Sequence, residues 1–441
     1  MNPSSFSADL IVVPGWIISM ASRDEVLRDH AIVVEKGIIK ALLPVGDLPE
    51  NCPVEPIKLP DHAVLPGLVN AHGHAAMTLL RGFADDLPLM PWLENHIWPA
   101  ETAHVGEDFV RDGTSLAMAE MLLSGTTTFS DMYFFPEVVA ALCTKSGMRA
   151  QLTTPVFEFP TAWGDGADDY ISKSLALRDD CKNLDRLSIA FGPHSPYTVA
   201  ESSLEKVALY AAELDMGVHI HLHETAGEVL SAVEATGERP VDTLRRLGLL
   251  GPRTQCVHMT SIGSQDIANL AETGAQVVHC PQPNMKLASG TCPVSELRAA
   301  GVNVGLGTDG AASNNDLNLF NEMHSAALLA KLTTGDPTVM SAYDTLHMAT
   351  LGGAKALGLD QEIGSITPGK QADFIAIDLS APSTQPLYNP PSQIVYACTG
   401  AEVTHSWVAG EALMHERKLL TIDVDDTLAR AKHWRQKISA Q

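Results

Sequence analysis

Pro66-Gly67-Leu68-Val69-Asn70-Ala71-His72-Gly73-His74 is the stretch on which the reading of this chain turns. An apolar run, Ala63-Val64-Leu65, enters a Pro-Gly break, and a second one, Leu68-Val69, delivers two histidines separated by one glycine. In an extended strand residues i and i+2 project from one face, so His72 and His74 are aimed at a single point. Gly73 leaves the space between them open. Imidazole nitrogens paired in this way suit a divalent metal. Such a pair also occurs among ordinary histidines, so its weight rests on what the remaining chain places beside it.

Outward from this stretch, the segment before it, from residue 8 to about 62, reads as short strands: Leu10 to Val13, Trp16 to Met20, Ala31 to Val34 and, after the Lys36-Gly37 turn, Ile38 to Leu42. Strands this short and close predict a small antiparallel sheet. After it the texture changes to apolar strands alternating with helices. The strands are Leu65 to Ala71, Thr126 to Ser130, Ala150 to Val156, Leu187 to Phe191, Gly217 to Leu222, Gln255 to Met259, Ala275 to Val278 and Val302 to Gly307. Helices are expected near Asp108 to Ser124, Pro136 to Ser146, Ser203 to Leu214, Leu317 to Leu332 and Tyr343 to Leu357. Eight strands in this rhythm predict an α/β fold, a TIM-like (β/α)8 barrel. Strand texture returns at Gly364 to Ile366, Ala372 to Asp378 and Val403 to Val408. The barrel is therefore expected to be inserted in a small β-sandwich domain formed by both chain ends. The divisions are 1–62, 63–362 and 363–441, the last including a C-terminal helix.

Composition narrows the function classes. A formal net charge of −24 disfavours nucleic acid and anionic membrane as partners, because both demand clustered Lys and Arg. Seven cysteines with no Cys-x-x-Cys read as reduced, buried thiols, and the chain is expected to be cytoplasmic. The apolar stretch Leu10 to Ala21 is preceded by Asp9 and broken by Pro14-Gly15, unlike a signal peptide, and no run reaches membrane-span length. Oligomeric state is left open, a homo-oligomer included.

In a barrel the chemistry gathers where the strands end. Strand 1 ends in His72 and His74; strand 4 in Gly192-Pro193-His194-Ser195; strand 5 reads Val218-His219-Ile220-His221-Leu222-His223-Glu224. Strand 6 ends in His258, strand 7 in His279-Cys280-Pro281 and strand 8 in Gly307-Thr308-Asp309-Gly310. Burying so many ionisable groups unpaired costs several kcal/mol, on the order of a domain's net stability, so their recurrence at equivalent positions argues for a shared use. His219, His221 and His223, two residues apart, are expected on the same face of one strand, and spacing alone does not choose among them.

With these residues in place, the chain resembles the amidohydrolase superfamily: His-x-His after strand 1, a histidine on each of strands 5 and 6, an aspartate after strand 8, and a flanking Gly-Ser-Ile-Thr-Pro-Gly-Lys-Gln-Ala-Asp-Phe segment at Gly364 to Phe374. Within it, the stretches Leu80 to Leu87, Trp98 to Glu101, Gly192 to Tyr197, His221 to Glu224 and His279 to Leu287 are similar to the 5'-methylthioadenosine/S-adenosylhomocysteine deaminases. The resemblance implies His72, His74, His221 and Asp309 as ligands of one Zn²⁺ per subunit, with Fe²⁺ chemically acceptable as well. It selects His221 and leaves His219 and His223 with structural or supporting roles. Dinuclear relatives carry a bridging lysine after strand 4, where this chain has His194, so a single metal is expected.

The implied reaction is hydrolytic deamination of the adenine ring of a small-molecule nucleoside. Glu224 takes a proton from water and passes it to N1, His258 holds the attacking oxygen, and Asp309 also helps a proton reach the departing ammonia. Glu101 would bind the ribose hydroxyls and His194 the nucleoside, with Glu224 and Asp309 also touching substrate. Without the resemblance, Glu101 and Glu224 read as acids at helix N-termini, favoured by the dipole. Phe83, Leu87, Met90 and Trp92, in a Pro-rich loop, read either as an apolar lid or as loop packing. The loop after strand 3, Glu158 to Asp169, carries acids and no base, which tilts the substrate from S-adenosylhomocysteine toward 5'-methylthioadenosine. Two alternatives remain beside this reading: a deaminase of a free base or triazine, and an inactive binding relative.

Overall fold

A computed structural model describes residues 6–439 and contains two eight-stranded sheets. The strands in chain order are β1 (Leu10–Ile17), β2 (His30–Glu35), β3 (Ile38–Pro44), β4 (Ile57–Pro66), β5 (Leu68–Asn70), β6 (Thr126–Asp131), β7 (Arg149–Val156) and β8 (Leu187–Pro193). They continue as β9 (Gly217–Leu222), β10 (Thr254–His258), β11 (Gln276–His279), β12 (Val304–Leu306), β13 (Phe374–Asp378), β14 (Val403–Val408), β15 (Glu411–His415) and β16 (Lys418–Leu419).

Strands β5 to β12 follow one another in sequence order, all parallel. Their fully buried apolar runs, such as Val277-Val278 and Ile220, fit strands covered on both faces. The ring closes where Ala71 N–H donates to the Leu306 carbonyl at 2.8 Å and Asp309 N–H to the His72 carbonyl at 3.1 Å. Gly307 permits that seam, since a Cβ there would lie 2.8 Å from the His72 Cβ. The expected (β/α)8 barrel is present, and its closing seam carries His72 and Asp309.

The chain ends share the other sheet, in the order β16-β15-β14-β13-β4-β1-β2-β3. It is mixed where an antiparallel sheet was expected, because β1 pairs parallel with β4. Trp16 to Met20 is no separate strand: β1 runs through Pro14-Gly15 with a register shift, and Gly15 sits against the Pro60 carbonyl where no side chain fits. The strand expected at Leu65 to Ala71 is divided, with Leu65 paired to Ile375 in the end sheet and only Leu68–Asn70 in the barrel. Gly364 to Ile366 forms no strand, although Ile366 N–H bonds the Ser19 carbonyl at 2.8 Å.

The long helices match closely, at Glu107–Leu123, Pro136–Ser146, Glu201–Leu214 and Leu319–Thr334. The helix expected at Tyr343 to Leu357 is interrupted by a π turn at Met348–Gly352. There Gly352 and Gly353 press against the Val304 carbonyl and Val69, so the helix widens where it touches the barrel wall. A C-terminal helix, Val424–Ser439, packs on Glu107–Leu123 through Trp434, whose Nε1 donates to Asp112 at 2.9 Å.

Candidate active site

Gly73 brings His72 and His74 to the end of β5, and the two rings meet edge to face with centroids 4.8 Å apart. Asp309 comes from the end of β12, and its Oδ1 lies 3.3 Å from His72 Nε2 and 3.1 Å from His74 Nε2. Its other oxygen accepts the Ser313 hydroxyl at 2.6 Å, which turns Oδ1 toward the histidines. His221, on β9, sets its Nε2 3.2 Å from that of His72. Two sets of donor atoms lie within 4.8 Å of one another: His72, His74 and Asp309, and His72, His221 and His258.

The electrostatics suit a cation. Burial holds the imidazoles of His72 and His221 well below the usual histidine range, in the neutral form that offers a lone pair. His74 goes the other way: burial opposes its charge, but the bond to Asp309 overrides this and lifts it to about 9. Asp309 is held well below the carboxylate range by His72 and His74, against its own burial. The spot between these groups therefore stabilises positive charge. His72, His74 and Asp309 converge there, with His221 against His72, and imidazoles and a carboxylate so placed fit a divalent metal.

Backbone strain gathers at the same strand ends. His223, His258 and Asp309 adopt φ of +52°, +74° and +58°, a left-handed conformation unusual for such residues. At His223 this turns the chain out of β9, so His223 does not share the face of His221 as the alternation implied. Its ring instead meets the Ser261 carbonyl and the Val241 N–H, at 3.0 and 3.1 Å. His219 stays on the strand, behind His72, with Nε2 2.8 Å from His72 Nδ1.

The cluster opens into a cavity of about 520 Å³. Glu224, His258, Glu101 and His194 all line it together with His74, His221 and Asp309. His258 Nε2 is 3.9 Å from Glu224 Oε1, and its Nδ1 meets Asn284 Oδ1 at 2.9 Å. Burial raises the Glu224 carboxyl above the ordinary range, although the charge of His258 favours its ionised form. Glu224 precedes the helix Ala226–Thr236, so the dipole reading and the cavity position hold together. Its backbone N–H, and that of His223, are held by the Glu228 carboxylate at 2.7 and 3.1 Å. Glu101, in the first turn of the helix Trp98–His104, accepts the Tyr133 hydroxyl at 2.6 Å and is raised by burial. His194 is driven down to about 3, by burial first and then by the charge of His74.

Of the four loop residues read as either lid or loop packing, Trp92 lines the cavity and Phe83, Leu87 and Met90 do not; Phe83 and Met90 are solvent-exposed. The apolar wall comes instead from Leu89, Leu93, Ile97, Trp98 and Phe157, which sequence reasoning passed over. Tyr133, Met132 and Tyr197 were also missed. Tyr133 does carry a sequence signal, since it stands two residues past the end of β6, a strand end equivalent to those that carry the histidines.

Comparison with known proteins agrees with this geometry. Residues 63–413 match the amidohydrolase family. The chain is 50% identical over 427 residues to a 5-methylthioadenosine/S-adenosylhomocysteine deaminase of Teredinibacter turnerae, covering 97% of each chain. It is 50% identical over 435 residues to the protein of that name in Saccharophagus degradans, covering 98% of each. A crystal structure of an adenosine deaminase from Xanthomonas campestris, with zinc bound, superposes with a TM-score of 0.97 at 47% identity, covering 98% of this chain and 99% of that one. A family match over most of the chain, relatives this close along nearly its full length and a donor cluster on the barrel seam have one meaning: this chain belongs to the amidohydrolase family.

Proposed function

We propose that this protein is a hydrolase of C–N bonds that deaminates the adenine ring of 5'-methylthioadenosine, giving the inosine analogue and ammonia. The observation that carries the reading is one cavity holding three things: the histidine–aspartate cluster, Glu224 with His258 beside it, and the buried Glu101–Tyr133 pair. The names of the relatives at 50% identity support the substrate class. The seven cysteines are all free, in keeping with a cytoplasmic enzyme, and no helix among the described residues is long and apolar enough to cross a membrane.

His72, His74, His221 and Asp309 would hold one divalent ion, zinc in this reading, as in the Xanthomonas structure. Bound there, the ion supplies Lewis-acid activation that makes water a nucleophile near neutral pH. Glu224 takes the proton of the attacking water and delivers it to N1 as the oxygen bonds to C6. His258, whose Nδ1 donates to Asn284 Oδ1, would hold that water by a hydrogen bond at Nε2. The proton of the new C6 hydroxyl is then relayed through Glu224 and Asp309 to the amino nitrogen, the C6–N bond breaks, and ammonia leaves as C6 becomes a carbonyl. A carboxyl raised by burial suits both halves of this exchange. Glu101, steadied by Tyr133, would accept bonds from the ribose hydroxyls, and the neutral ring of His194 would contact the nucleoside.

No Lys or Arg is found among the described residues lining the cavity, while Trp92, Leu93 and Ile97 are. An uncharged methylthio group is at home against such a wall, and the charged amino-acid tail of S-adenosylhomocysteine would stay unpaired. A spectrophotometric screen of adenosine, 5'-methylthioadenosine, S-adenosylhomocysteine, guanine and cytosine on zinc-loaded protein tests the proposal. The methylthio nucleoside should turn over fastest; an unchanged spectrum with that substrate would overturn it.

A further inference from the structure

Three cluster imidazoles point Nε2 at the shared centre, and a nitrogen ligates only if its proton sits on the other ring nitrogen. For His74 and His221 the fold decides this locally: Nδ1 faces the carbonyl oxygens of Met132 and His194, at 2.7 and 2.8 Å. A carbonyl only accepts, so Nδ1 must carry a proton, and in the neutral ring that binds metal Nε2 is the free nitrogen. His72 has no carbonyl partner. Its Nδ1 faces His219 Nε2 at 2.8 Å, and an imidazole nitrogen is donor or acceptor according to its own tautomer. The choice is passed one residue further, to His219 Nδ1, which meets the Oε1 of Gln255.

We infer that Gln255 and His219 form a positioning relay that fixes the tautomer of His72 and thereby its capacity to bind metal. The Gln255 carbonyl oxygen accepts from His219 Nδ1–H, so His219 Nε2 is a lone pair. That lone pair accepts from His72 Nδ1–H, and His72 Nε2 is freed for the metal. Were the amide reversed, with its nitrogen donating to His219, each proton along the line would shift by one site. His72 Nε2 would then carry a hydrogen, facing Asp309 Oδ1 at 3.3 Å, and could not ligate. The register favours the line: His219 and Gln255 are direct partners across β9 and β10, both fully buried in the barrel. Barrel interiors are ordinarily filled by branched aliphatic residues, which would occupy this layer without the cost of burying two polar groups. Outer partners of metal-bound histidines typically change metal affinity by about 10- to 100-fold when removed.

The inference rests on the metal site of the proposed function, and the test separates the two. Zinc affinity is measured by chelator competition on the full chain, with the unfolding midpoint of the metal-free protein alongside. Gln255→Met and His219→Leu should each weaken zinc about 10-fold or more. His219→Gln should stay within about threefold of the unaltered protein, because its amide nitrogen can donate to Gln255 while its oxygen accepts from His72. Failure of the unaltered protein to bind zinc would sink the metal site itself. Zinc binding in Gln255→Met and His219→Leu as tight as in the unaltered protein would overturn the relay alone. So would equal losses in His219→Leu and His219→Gln that follow a lowered metal-free midpoint, since packing would then explain both.

Discussion

Glu224 is under two opposing influences: burial favours its neutral form, and the charge of His258, 3.9 Å away, favours the ionised one. A carboxyl balanced in this way can take a proton in one step and give it in the next. Glu224→Gln keeps the size and removes that exchange. Turnover of 5'-methylthioadenosine should fall at least roughly 10²-fold while metal content, measured by elemental analysis, stays unchanged; near-normal turnover would remove Glu224 from the mechanism. Glu101 is tested by comparison of substrates. A bond to a charged group contributes about 1.5–3 kcal/mol, so Glu101→Ala should lower kcat/KM for the nucleoside at least about 10-fold. Any activity on a free base, which has no ribose, should change little, and equal losses on both would show Glu101 acting elsewhere. Tyr133→Phe should fall between the two, since Glu101 stays but loses its 2.6 Å anchor.

At the scale of elements, the turn from β9 into the helix Ala226–Thr236 is tied down by Glu228, whose carboxylate accepts the N–H groups of His223 and Glu224. Burial, reinforced by the Glu224 charge, lifts Glu228 to about 7 despite those bonds. Its folded value lies above the ordinary value of 4.5, so between these two the folded chain holds the proton more tightly than the unfolded one. Its stabilising contribution is complete below the ordinary value and is lost as the pH rises toward 7. Glu228→Gln cannot ionise, so its melting temperature should drop less than that of the unaltered protein between about pH 5 and pH 7.5. The seam of β5 and β12 is a second such element. A methyl at Gly307 would fall within 2.9 Å of the His72 backbone nitrogen and carbonyl, so Gly307→Ala should cost about 1–3 kcal/mol by denaturant titration and lower metal affinity as well. These elements also mark how far the sequence was legible. Apolar runs such as Val277-Val278 and the pair His72-Gly73-His74 are local patterns, and they foretold the barrel strands and two histidines at the end of one of them, whereas the choice of His221 and Asp309 came from the family resemblance. Which sheet receives Ala63-Val64-Leu65 depends on pairing with β13, more than 300 residues away in sequence, and no local pattern carries that. The cavity wall is lost to sequence for the same cause: Trp98, Phe157 and Tyr197 become neighbours only when the ring closes.

For the whole molecule, the question is what holds the barrel against the sheet made by the chain ends. Arg149, on β7, reaches Asp373 just before β13, with Nε 2.9 Å from Oδ2 and both side chains 2% exposed. Asp373 also accepts the Ala409 N–H at 2.7 Å, and its backbone carbonyl takes the N–H of Gly67, the residue at which the chain passes from one sheet to the other. One buried residue, Asp373, thus joins a barrel strand through its carboxylate and the crossover through its backbone carbonyl, at the start of β13. Removing one partner of a buried ion pair leaves an uncompensated charge and typically costs about 3–5 kcal/mol, more than the pair itself contributes. Arg149→Met should therefore lower the free energy of unfolding by about that amount in denaturant titration. Arg149→Met combined with Asp373→Leu should recover only part of it, because the Ala409 N–H would then lose its acceptor. Neither residue lines the cavity, so folded Arg149→Met protein assayed well below its melting temperature should keep near-normal turnover. A loss of turnover matching the loss of stability would instead mean that the end sheet sets the geometry of the strand ends through this contact.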